Sequence, residues 1–176
     1  RSETASAGAF VKDVIDLNDS TVDFAQFDND GPDGVPNSGD DDGVVDLLVV
    51  LQPNAGGECG GSQLWSHLGR YSDWFPDSYT TDDPAEGGGQ ILIEDYLLAP
   101  AVGCDKSALL TIGPLAQMFG LHLGLPPLWD RDGSSSGIGV YGLMGRGAWG
   151  GDGASPERPV HPSAYSKALA GWITPD

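Results

Sequence analysis

The chain has 176 residues, enough for one domain with a hydrophobic core and too few for two of ordinary size. Its 27 glycines and 13 prolines, set beside 39% apolar residues, describe a loop-rich globular protein and exclude a disordered one. A formal charge of −18 repels phosphate backbones and anionic headgroups, which excludes nucleic-acid binding, and no apolar run approaches the ~20 residues that a membrane-spanning helix needs.

The chain begins at Arg1 with no basic-then-apolar leader, so the expectation is a processed or partial chain whose targeting segment lies outside it. Residues Ala5 to Asn18 place Phe10, Val11, Val14, Ile15 and Leu17 near helical spacing, predicting an amphipathic helix with Ser6 as its cap. Next comes FDNDGPDGVPNSGDDDGVVD, in which seven aspartates, four glycines and two prolines between Asp28 and Asp46 forbid a core. Carboxylates separated by glycines and small residues can converge while the backbone turns sharply, and this is what a hard cation requires. Calcium takes six to eight oxygens at about 2.3 to 2.6 Å, and Asp28, Asp30, Asp33, Asn37, Asp40, Asp42 and Asp46 are the candidate ligands. No Glu closes the segment as an EF-hand would. The plainer alternative is a solvated acidic loop, against which stands the mutual repulsion of so many carboxylates just before an apolar run.

Val44 to Leu51 and Gln90 to Leu97 read as two strands, with irregular, aromatic-rich chain between them. Cys59 and Cys104 are too far apart for a CxxC redox or zinc pair and read as a disulfide, placing the protein in an oxidising, extracytoplasmic compartment. Thr111 to Leu123 has the marks of a helix: a capping threonine, Pro114 in the first turn, Gly124 to end it and Pro126 beyond. A Gly/Ser loop follows from Asp132 to Gly139, then a tight segment at Leu143 and Met144, and a last helix over Pro162 to Ala170. GSSSG at Gly133 matches the serine-hydrolase elbow only in spelling, since it lies in a loop and not between strand and helix. Glu94 and Asp95 are adjacent strand residues facing opposite sides and make no glycosidase pair, with Asp95 expected in or near the core.

From Ile112 the chain reads IGPLAQMFGLHLGLPPLWDRDGSSSGIGVYGLMGRGAWG. This stretch resembles the immune inhibitor A family of secreted zinc metallopeptidases, whose pattern has the form IGVFxHEFGHxLGLPDLYDTDGSSxGIGxWxLMxxGxW. The resemblance extends to FDNDGPDG, GDDDGVVDLL, the WSH at Trp65 to His67 and HPSAYSKALAGW near the end. Trp65, Trp149 and Trp172 lie in these resembling segments, which implies that they pack in the core rather than stack on sugars. It implies one α/β (α+β) domain over 1–176 with a zincin/metzincin-like metallopeptidase fold, calcium-stabilised through the loop at 28–46. In the family two His at i and i+4 hold zinc on one helical face, the Glu after the first is the general base, and a third ligand follows the Gly turn. Those four positions are here Gln117, Met118, Leu121 and Pro127, while Phe119, Gly120, Gly124, Leu125, Pro126, Leu128 and Asp130 all match. His122 sits about 100° round the helix from the second ligand position and points away from it.

A chain with these replacements is expected to bind no zinc and to lack the peptidase mechanism. What remains is a non-catalytic, metallopeptidase-like domain serving as a structural or interaction subunit of an extracytoplasmic assembly, one that could be membrane-associated through exposed aromatic loops. Its partners would then be proteins. The alternatives are an inert peptide-binding cleft and a divergent secreted metal-dependent peptidase.

Overall fold

The computed structural model describes residues 6–60 and 63–174, so Ala5 lies outside the described residues. The fold is mixed α/β with small sheets, and its chain divides into two compact units. One holds the residues up to Gln52 together with 60–99; the other holds 53–59 and everything from Pro100 onward.

The first unit opens with helix α1 (Ala7–Asn18), where the Ser6 side chain accepts a hydrogen bond from the Ala9 N–H at 3.1 Å and so satisfies one of the four unpaired amides of the first turn. Val11 and Ile15, one turn apart, are buried. They join Phe24, Val45, Val50, Tyr71, Ile91, Ile93, Tyr96 and Leu98 in the core of this unit. A mid-chain stretch expected to be irregular instead contributes two short strands. β2 (His67–Arg70) pairs antiparallel with β5 (Asp95–Val102), and β3 (Tyr79–Pro84) forms a hairpin with β4 (Gln90–Ile93). The aromatics between them make structure: Tyr71 stacks on Phe75 at 4.5 Å and meets Tyr79 edge-on at 5.6 Å.

β1 (Leu48–Ala55) lies at one edge of a three-stranded sheet ordered β1-β5-β2. The strand expected at Val44–Leu51 therefore starts four residues later. Val44 and Val45 are spent elsewhere, on a bridge to Leu92 of β4, and the Val45 N–H donates to the Leu92 carbonyl at 2.8 Å. The single strand expected over Gln90–Leu97 is broken in two at Glu94. That carboxylate is buried, not Asp95, which is half-exposed. Glu94 accepts from the Ser72 hydroxyl, the Ser72 N–H and the Ser78 hydroxyl, and pairs with Arg70 at 3.0 Å. Burial alone would raise its pKa, but these donors outweigh burial and hold it below the usual carboxylate range.

The second unit is built around α2 (Ile112–His122) and α3 (Ala164–Leu169), with a core of Leu125, Leu143, Met144 and Ala148. Cys59 and Cys104 are bonded, as the sequence suggests, with their Cα atoms 5.0 Å apart. α2 ends as expected, Gly124 following its C-cap at φ +81°, a conformation that side chains with a Cβ resist. α3 is shorter than predicted, and Ser163 caps it by accepting from the Ser166 N–H. The tryptophans divide. Trp149 is half-buried against the second core, whereas Trp65 and Trp172 are 63% and 54% exposed, contrary to the expectation that both pack inside. Trp65 lies in the irregular chain just before β2 and Trp172 follows the turn at Gly171, and neither belongs to a core cluster.

Candidate functional site

The sequence singles out two places, the acidic loop of the first unit as an ion site and helix α2 of the second, where other residues stand at the family's zinc-ligand and base positions. The acidic loop brings Asp28, Asp30 and Asp41 together, with one carboxylate oxygen from each lying within 4.8 Å of the others. Asp28 is the pivot, 1% exposed. Its Oδ2 accepts from the Gly43 N–H at 3.1 Å, while its Oδ1 has no hydrogen-bond partner among the described residues. Burial, and then the charges of Asp41 and Asp42, push its carboxyl above the usual range. Asp41 is held by two backbone amides, of Gly31 and Ser38, each at 2.7 Å. It was missing from the ligand set predicted from sequence; only the fold selects which carboxylates of the run turn inward.

The remaining candidates are tied up in shaping the loop. Asp33 accepts from the Val35 N–H, Asp40 from the Ser38 hydroxyl and the Asp33 N–H, Asp42 from the Val44 N–H, and Asp46 from the Asn29 N–H at 3.4 Å. Asn37, at φ +51°, donates from Nδ2 to the Pro84 carbonyl and accepts at Oδ1 from the Glu86 N–H, which staples the loop to the β3–β4 hairpin. A small cavity of about 150 Å³ between loop and hairpin is lined by Asp28, Asp41, Asp42 and Glu86.

Helix α2 meets the segment 143–148 through a face made of glycines. A Cβ on Gly113 would sit 1.9 Å from the Ala148 carbonyl oxygen, and one on Gly120 would sit 2.7 Å from the Met144 sulfur. Gln117 lies between them on this face, one turn from each, and is 9% exposed. Its Nε2 donates to the Leu143 carbonyl at 2.7 Å and to the Gly145 carbonyl at 2.5 Å. Carbonyl oxygens only accept, so the amide orientation is fixed and both of its hydrogens are used. Met118 is also buried, Leu121 is half-buried against the Leu125–Met144 cluster, and Pro127 is half-buried in the turn after the helix. A thioether, an isobutyl group and a pyrrolidine offer a zinc ion none of the imidazole or carboxylate donors it prefers. The donor set does not fit zinc. The loop beyond is closed by Asp130, which accepts from the N–H groups of Asp132, Gly133 and Ser135, the last at 2.6 Å. Chiefly through the Ser135 bond, its carboxyl is held below the usual range.

Of the other histidines, His67 belongs to a closed chain of hydrogen bonds in the first unit. Its Nδ1 must donate to the Trp65 carbonyl at 2.8 Å, leaving Nε2 to accept from the Tyr96 hydroxyl at 3.2 Å, whose oxygen in turn accepts from the Trp74 indole at 2.8 Å. Gly69 makes room for this hydroxyl, which a Cβ there would approach to 2.6 Å. His67 is thereby committed to structure.

Small sheets, and a helix of the second unit seated on a Leu-Met turn, make a mixed α/β domain consistent with a peptidase domain. Residues 3–173 match the family described as immune inhibitor A peptidase M6, catalytic domain, and the chain belongs to that family. It is 28% identical over 173 residues to Immune inhibitor A of Bacillus thuringiensis subsp. alesti, covering 92% of this chain and 24% of that protein. It is 29% identical over 161 residues to the pre-pro-metalloprotease PrtV of Vibrio cholerae serotype O1, covering 83% of this chain and 17% of that one. The chain thus spans a quarter or less of the length of these relatives.

Proposed function

We propose that this domain is a non-catalytic member of its family, kept as a structural or interaction subunit of an extracytoplasmic assembly. The observation that carries the reading is Gln117. At the position where the family resemblance puts the first zinc-binding imidazole, a buried amide ties α2 to the Leu143–Gly145 turn by two hydrogen bonds. That cross-link does what a metal bridge would otherwise do for packing, and it commits both amide hydrogens of Gln117 to the protein. With Met118 in place of the general base, no group at that position accepts the proton of an attacking water. The disulfide supports the extracytoplasmic placement. No helix among the described residues is long and apolar enough to cross a membrane.

The acidic loop completes the reading. Asp28, Asp30 and Asp41 hold a hard cation, calcium being the natural fit to an all-oxygen set, and the ion's role is structural: it supplies the charge that the buried Asp28 oxygen lacks. Elemental analysis of the purified protein tests both halves at once. Calcium near one equivalent with no zinc is the expected result; stoichiometric zinc, or chelator-sensitive turnover of a peptide library, would restore the metal-dependent peptidase reading.

A further inference from the structure

Between Lys12 and Arg70 the sequence contains twelve Asp and Glu residues and not one Lys or Arg. The same stretch folds into an apolar groove of about 260 Å³ in the first unit, lined by Val14, Val22, Phe27, Leu47 and Leu48, with Asn18 as its polar member. Phe27 is 53% exposed at the groove. Val49 and Leu51, on the outward face of the edge strand β1, are similarly open, as is Leu17 at the end of α1. An exposed apolar patch of this kind marks a binding surface more often than an accident of folding.

Its rim gives the chemistry of the occupant. Asp23 separates Val22 from Phe24, Asp46 separates Val45 from Leu47, and Asp19 follows Asn18, so a carboxylate stands within one residue of the lining at three points, accepting from uncharged donors: the Gln26 amide at Asp23, the Asn29 N–H at Asp46, and the Tyr79 hydroxyl and Asp82 N–H at Asp19. Among the described residues no lysine or arginine pairs with Asp19, Asp23 or Asp46, whereas Asp16 is already matched by Lys12. A cation held at Asp28, Asp30 and Asp41 leaves these three charges in place. We infer that the groove docks a cationic amphipathic segment of a protein partner, inserting two or three large apolar side chains while its Lys or Arg residues meet the carboxylates at the rim. The inference rests on the interaction role proposed above and names the face that performs it.

The test uses the whole chain and a labelled peptide of about 14 residues patterned with Leu and Lys as an amphipathic helix, read by fluorescence anisotropy. Two controls accompany it, one with Glu for every Lys and one with Ser for every Leu. The Leu/Lys peptide is expected to bind at least about tenfold more tightly than either control, to lose about tenfold with Phe27→Ser, and to lose a similar factor with the pair Asp23→Lys and Asp46→Lys. Asp132→Asn, in the loop after α2 and outside the groove lining, should leave binding unchanged. Since Phe27 is half-exposed its replacement is expected to fold, and Leu47→Ser, at a half-buried lining position, gives a second readout if it does not. Equal binding of the Ser-for-Leu peptide, or indifference to both Phe27→Ser and Leu47→Ser, would reduce the interaction to bulk charge and overturn the inference. So would sedimentation showing that the chain self-associates and that Phe27→Ser makes it monomeric, because the occupant would then be a second copy. None of these outcomes touches the zinc question, which elemental analysis decides separately.

Discussion

The acidic loop and helix α2 satisfy their buried polar groups in opposite ways. In the loop charge is uncompensated: Asp28 is buried with one oxygen unpaired among the described residues, and burial and neighbouring carboxylates push it towards the neutral form. In α2 a buried amide is bonded to two carbonyls and apolar groups close round it. On the reading proposed above, the first region is incomplete without a cation and the second is complete without one, and the difference can be tested region by region.

The largest expected effect follows from the loop. Adding calcium to chelator-treated protein should raise stability by about 4 kcal/mol when free calcium is ~1,000 times its dissociation constant, seen as a rise of about 10 °C in calorimetry. Zinc should not reproduce it. Asp28→Asn should reverse the ranking: without calcium the variant melts no lower than the parent, because a buried charge facing Asp41 and Asp42 has been removed, and with calcium it fails to gain. A parent protein whose melting ignores both calcium and chelator would break the comparison on the loop side.

On the α2 side, Gln117→Leu keeps the volume roughly constant and deletes both hydrogen bonds, leaving the Leu143 and Gly145 carbonyls buried and unpaired. The expected cost is about 3 kcal/mol in denaturant unfolding, independent of any metal. Gln117→His should be destabilised as well and should not acquire zinc, since Met118, Leu121 and Pro127 still supply no ligand. A stabilised Gln117→Leu would show that the amide is tolerated there and is no replacement for a bridge.

How much of this could be read from the chain depends on the reach of the interactions. α1 was legible to within its described start because its period and its Ser6 cap are local. That Gln117, Met118, Leu121 and Pro127 stand at the family's ligand and base positions is read from the matching residues that flank them. The break at Glu94 was not, since the donors that draw that carboxylate inward, Ser72 and Ser78, lie 22 and 16 residues away in sequence. For the same reason the sequence does not single out Asp41, whose carboxylate is brought beside Asp28 and Asp30 and is oriented by the amides of Gly31 and Ser38. Strand β1 was misplaced by four residues because an apolar run does not say which of its members will be claimed by a bridge to β4.

Glu94 also sharpens the contrast, being a buried carboxylate whose partners are all supplied by the protein. Its folded pKa is depressed, so its contribution is present above the ordinary carboxylate range and is lost as pH falls through the folded value. Glu94→Gln should therefore cost about 2 kcal/mol near neutral pH, and the gap to the parent should close as the pH drops below about 4. Denaturant titrations of both proteins at several pH values measure this, and a gap that stays constant would assign the loss to packing instead of charge.

The smallest effect separates two helices by what holds them. α1 depends on a side-chain cap, and Ser6→Ala should cost about 1 kcal/mol. α2 has Thr111 at the equivalent position with no side-chain cap bond, and the N–H of Gly113, in its first turn, donates instead to the Pro156 carbonyl at 2.9 Å. Thr111→Ala should accordingly fall within about 0.5 kcal/mol of the parent. If α2 is fixed by its glycine face and Gln117, its cap is dispensable; a loss at Thr111 as large as that at Ser6 would mean that the helix is held at its end, and the weight placed on Gln117 would have to be reduced in proportion.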